Sequence, residues 1–119
     1  QLRSISRFHI AAAWLRILAT QSANFNDRLE AAPQQDHGHL EESADGVRDA
    51  SGGLIKAFGT VTSLQNDAAA VANACKLLLQ ITHFLRVDER GHPRELMLHA
   101  LEVALVRIRG LLLDRAITP

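Results

Sequence analysis

Hydrophobic residues recur along the chain at alternating steps of three and four, the period of one face of an α-helix. In the first segment Phe8, Ala11, Leu15, Leu18, Ser22, Phe25, Leu29 and Ala32 form such a stripe, and no alternation of strand type competes with it. Pro33 ends the pattern, because it disfavours helical geometry at the preceding residue and lacks a backbone donor. This predicts a helix over 3–32. The run Gln34-Gln35-Asp36-His37-Gly38-His39 reads as a connection.

A second stripe runs through Leu40, Ala44, Val47, Ser51, Leu54, Phe58 and Val61 and predicts a helix over 39–59. It is weaker, since Gly46, Gly52, Gly53 and Gly59 each cost about 1 kcal/mol relative to Ala in a helix interior. Thr60-Val61-Thr62 then adds three β-branched residues in a row. Beyond them the stripe resumes one residue early, as Leu64, Ala68, Val71, Cys75, Leu78 and Leu85. Either the helix breaks between Gly59 and Ser63, or a single helix of about 48 residues, about 72 Å long, continues with local over-winding. The break is favoured, with Ser63 or Thr62 as the N-cap of a third helix over 63–87. Gly91 and Pro93 mark the last boundary, and a helix over 94–116 follows. One stripe of it carries Leu98, Leu101, Leu105, Ile108 and Leu112, while Leu96, Val103, Val106 and Leu113 lie elsewhere around its circumference.

These elements predict an all-α fold, an antiparallel up-and-down four-helix bundle in one domain over 1–119. The alternative is three helices with one long central helix, assembled as a dimer. Composition agrees: 47% of residues are hydrophobic and 4% aromatic, so Leu, Ala, Val and Ile must build the core. A domain of this length buries roughly two-thirds of the surface of its unfolded chain, and needs no metal or disulfide to fold. Cys75 is the single cysteine, which excludes an intrachain disulfide and a Cys-based zinc site.

Formal net charge is zero, which removes the broad basic footprint of a nucleic-acid binder. The charges are unevenly placed: the 36–49 stretch is acidic, and 51–85 holds only Lys56, Asp67 and Lys76. No apolar stretch approaches the roughly 20 residues of a membrane span. Without an initiating Met or a cationic leader, the chain is read as a fragment of a larger protein or a matured product. The compartment stays open, with an intracellular setting favoured.

The chemistry is sparse, with no glycine-rich phosphate loop, no Gly-x-Ser-x-Gly and no His-Glu-x-x-His. Glu95, His99 and Glu102 fall on one face of the last helix, where two carboxylates flanking an imidazole could hold a divalent cation. The plainer account is that they are the solvent stripe of an otherwise apolar helix, one that supplies too few ligands by itself. Asp36, His37, His39, Glu41 and Glu42 could take up a transition metal adventitiously. His83 followed by Arg86 has a thin likeness to phosphotransfer bundles at the level of fold alone. His9 reads as a boundary residue capped by solvent or backbone.

Cys75 on an apolar stripe is an inert small hydrophobe. Trp14, beside the main stripe of the first helix, could anchor a partner or cover the flank of the bundle. The last helix and the 51–85 segment offer more apolar perimeter than a 119-residue bundle can hide. The expected function is therefore protein interaction or oligomerisation without catalysis and without a cofactor, with Trp14, Leu96, Val103, Val106 and Leu113 as contact residues. No nucleic acid and no membrane span enters this reading. A regulatory bundle sensing a small apolar molecule near Cys75 and Phe84 is the alternative.

Overall fold

The computed structural model of the protein describes residues 6–31, 37–64, 67–85 and 92–117, and the side chains of these other than 37–39, 92 and 115–117. Four helices account for most of them: α1 (Arg7–Ala31), α2 (His37–Gly59), α3 (Ala68–Thr82) and α4 (His92–Ile117). No strand occurs among the described residues. Helix α1 packs on α2 and α3, and α4 packs on α2 and, only sparsely, on α3. The arrangement is flat and long, with extents of 57 × 34 × 20 Å. Its radius of gyration of 15.8 Å exceeds the about 13.5 Å of an ordinary domain of this length. A flat body has a large perimeter for its core. No helix among the described residues is long and apolar enough to cross a membrane.

The first stripe is buried as its period predicts. Phe8, Ala11, Leu15, Leu18, Ser22 and Phe25 face the core, and Phe8 meets Phe58 of α2 edge to face, with ring centroids 6.2 Å apart. Gly53 sits under the Trp14 indole, which occupies the place a Cβ would take. The glycines of α2 are thus not all a loss to it: this one lets the helix accept a large side chain from α1.

The helix ends at Gly59, so the long central helix does not form. Thr60 and Val61 close α2 by donating from their backbone nitrogens to the carbonyls of Ala57 and Phe58. Val61 and Leu64, which follow α2, bury their side chains in the core. Arg107 of α4 holds the backbone there, its Nε donating to the Val61 carbonyl at 2.8 Å. The N-cap of α3 is Asp67 rather than Ser63 or Thr62, its carboxylate accepting from the Ala70 backbone nitrogen at 2.9 Å. Asp67 wins because it directly precedes an uninterrupted helix-forming run, Ala68 to Ala70.

Ser51 carries an unusual burden in this core. It is fully buried on α2, and its hydroxyl has no hydrogen-bond partner. A buried polar group without a partner costs about 1–3 kcal/mol. Ser51→Ala is therefore expected to raise stability by about 1 kcal/mol, seen as a higher urea midpoint; a lower midpoint would show that the hydroxyl is in fact bonded.

Candidate functional site

Helix α4 is apolar around most of its circumference, so packing and not amphipathic pattern decides which side it buries. The buried positions are Met97, Ala100, Leu101, Ala104 and Ile108. Small side chains at 100 and 104 allow close approach of the helix backbone, which turns this side inward in preference to the all-leucine side. The stripe read from the sequence is thereby split: Leu101 and Ile108 enter the core, while Leu98, Leu105 and Leu112 remain exposed.

At 100° per residue the outward residues form an ordered band. Leu98, Leu105 and Leu112, spaced by seven, make one row, and Val106 and Leu113, each 57% exposed, make a second. Glu102 and Arg109 lie between the rows, and neither has an ion pair or hydrogen bond among the described residues. The expected contact residues divide accordingly. Val106 and Leu113 are exposed on this band, whereas Leu96 and Val103 are half-buried, Val103 against the core. Trp14 is half-buried between α1 and Gly53 of α2.

A cavity of about 610 Å³ opens beside the band, lined by Phe58, Val103, Val106, His99, Glu102 and Arg107, among others. Two further cavities lie between α1 and α2 and between α1 and α3. None of these three is lined by Cys75 or Phe84, which are half-buried and pack against the core. Glu95, His99 and Glu102 are exposed on α4, and among the described residues no group of three or more His, Cys, Asp or Glu could hold a metal ion. His83 is exposed in the turn that closes α3. Arg86 and Asp36 lie outside the described residues, while His37 and His39 belong to the first turn of α2.

The most connected polar cluster joins two helix starts. His9 lies between Ser6 and Asp67, with Nδ1 against the Ser6 hydroxyl and Nε2 3.0 Å from the Asp67 carboxylate. Ser6 caps α1 by accepting from the His9 backbone nitrogen, and Asp67 caps α3. The trio contains the residue types of a nucleophilic site, yet its hydrogen bonds are spent on closing two helices.

The Ala70 backbone donor, opposed by a smaller desolvation and aided by the hydrogen bond and charge of His9, holds the Asp67 carboxyl below its usual value of 3.8. A carboxyl depressed in the folded state stabilises above its unfolded pKa, and that contribution disappears as pH falls through the folded pKa. Asp67→Ala should therefore lower the thermal midpoint near neutrality, with the difference from the parent shrinking as pH falls below about 3.8. Asp67→Asn keeps a capping oxygen and should sit between the two at neutral pH. Melting curves in series from pH 7 to 2.5 check this, and a difference that does not shrink with acid would refute it.

The sequence pattern missed Arg94 and Asn26, which are polar and almost fully buried, 5% and 6% exposed. Arg94 reaches from the start of α4 to Asn26 of α1 and to the backbone carbonyl of Phe84. One signal was present: a cation in the first turn of a helix opposes the helix dipole, so Arg94 needs acceptors from elsewhere.

Comparison with known protein families, with curated proteins and with solved structures finds no match to the chain.

Proposed function

We propose that the chain is a protein-interaction bundle that works without catalysis, through the outward face of α4. The observation that carries this reading is the exposed band itself, with Leu98, Leu105 and Leu112 at heptad spacing and Val106 and Leu113 beside them. Single exposed leucines are ordinary, but five large exposed apolar side chains along one helix favour a contact surface. Leu79 of α3, 67% exposed, adds to the apolar perimeter on a helix that meets α4 only sparsely. Zero net charge gives no overall attraction for a polyanion, and the His9 cluster is taken up by capping.

The test is a photo-reactive residue placed at position 105 and, as a control, at the exposed position 41 of α2. Position 105 should give a discrete covalent protein adduct in the producing cell, and position 41 should not. Equal labelling, or none at 105, would count against the reading.

We also infer that the helices alternate in direction along the chain without following one another in order round the bundle. Supporting this, Trp14 meets Gly53 and Gln21 meets Gly46, a pairing of opposite sense. His9 meets Asp67 at the starts of α1 and α3, and Asn26 meets Arg94 at the start of α4. Spin labels at 41 and 95 should then lie closer together than labels at 41 and 112; the reverse order would refute the alternation.

A further inference from the structure

We infer that the occupant of the outward α4 face is a second copy of this chain, bound antiparallel across a two-fold axis near Leu105. This rests on the docking reading above and specifies its partner. The argument is charge complementarity. The outward residues of α4 at alternating steps of three and four are Leu98, Glu102, Leu105, Arg109 and Leu112. They form a second heptad seam, about a quarter turn round the helix from its buried side, with knob positions spaced as in a coiled coil.

Placing a two-fold axis at Leu105 sets this leucine against its own copy and brings Leu98 level with the partner's Leu112. The partner's Arg109 then falls within one residue of Glu102, about 1.5 Å along the axis. By symmetry the pairing occurs twice. A parallel arrangement would instead set Glu102 on Glu102 and Arg109 on Arg109, and like charges facing each other across an interface oppose association. The two charges that interrupt the apolar seam therefore select one orientation. Val106 and Leu113 flank the seam.

The seam from Leu98 to Leu112 is about 21 Å long. One helix face of that length covers less than the about 800 Å² per partner of a standard interface, so the dimer belongs to the weak, micromolar class. A two-fold contact uses the same patch on both chains and closes at two copies.

Sedimentation equilibrium on the full chain from about 1 to about 300 µM reads the association directly. The parent should pass from one to two copies and no further. Glu102→Arg and Arg109→Glu should each weaken the dimer by about ten- to hundred-fold, since each replaces two attractions with two repulsions. The double variant, with the charges exchanged, should return to within about three-fold of the parent. Both positions are exposed on α4, so helix content and thermal unfolding at low concentration should match the parent in all three.

A parent that stays monomeric overturns the inference, as do assemblies beyond two copies, single variants that associate as tightly as the parent, or an exchange that recovers nothing. A monomeric parent whose position 105 still cross-links to a different protein overturns the second copy and leaves the docking reading standing. A monomeric parent with no adduct at 105 ends both.

Discussion

Arg94→Ala is expected to lower the folding stability by about 3 kcal/mol, because it removes a buried polar side chain that joins three helices. Arg94 Nη2 donates to Asn26 Oδ1 at 2.9 Å and Nη1 to the Phe84 carbonyl at 3.1 Å. Its guanidinium carbon lies 5.6 Å from the centroid of the Phe25 ring, within range of a cation–π contact. One side chain thus ties the late part of α1 and the end of α3 to the start of α4. Truncation leaves two acceptors desolvated and unbonded, in addition to the lost packing of the stem. Arg94→Lys should recover only part of the loss, because an ammonium on a flexible stem lacks the planar fork that reaches both acceptors. Replacing both partners together, as Asn26→Leu with Arg94→Met, should cost less than the two separate truncations added, since the first acceptor then disappears with its donor. Urea unfolding of Arg94→Ala, Arg94→Lys, the single replacements Asn26→Leu and Arg94→Met, and the double variant measures the pattern. A loss below about 0.5 kcal/mol for Arg94→Ala would show that water already reaches the site.

The same residue shows where sequence reading stops. Period alone predicted the buried side of α1, because Phe8, Leu15, Leu18 and Phe25 repeat at helical spacing with little else competing. The break after Gly59 was legible from the run of β-branched residues and the phase change. Its N-cap was not, since Thr62, Ser63 and Asp67 all satisfy the local chemistry; Val61 and Leu64 enter the core ahead of the helix, which leaves Asp67, directly before the Ala68 to Ala70 run, as the cap. Arg94 and Asn26 escape any reading that assigns polar residues to solvent.

Helix α4 escaped for the opposite reason. A helix apolar on nearly all sides carries no directional signal, so its leucine row looked like the core when the alanines at 100 and 104 in fact face inward. The excess of apolar perimeter was legible in composition; its location was not. Of the expected contact residues on this helix, Val106 and Leu113 are exposed while Leu96 and Val103 are half-buried, and Leu105, read as core, is exposed beside them.

Gly53→Ala is expected to destabilise the fold by about 2 kcal/mol, although the same change in an open helix interior would stabilise it by about 1 kcal/mol. A Cβ at Gly53 would fall 2.4 Å from Trp14 Cζ3 and 2.5 and 2.6 Å from Cη2 and Cε3, so the indole or the helix must move. The contact involves a rigid ring, which cannot fold away as a flexible side chain would. The neighbouring position is the internal control. Gly52 meets nothing within 4 Å, and Gly52→Ala should raise stability by about 1 kcal/mol through helix propensity alone. Opposite signs at adjacent glycines cannot come from propensity. In a Trp14→Ala background the penalty at Gly53 should vanish and the propensity gain reappear, a coupling that a double-mutant cycle isolates. The cycle also separates the two readings of Trp14. If the indole is a knob seated on α2, Trp14→Ala lowers stability and leaves self-association through α4 unchanged at concentrations where the monomer is folded. A fall in association with unchanged stability would instead make Trp14 part of the contact surface.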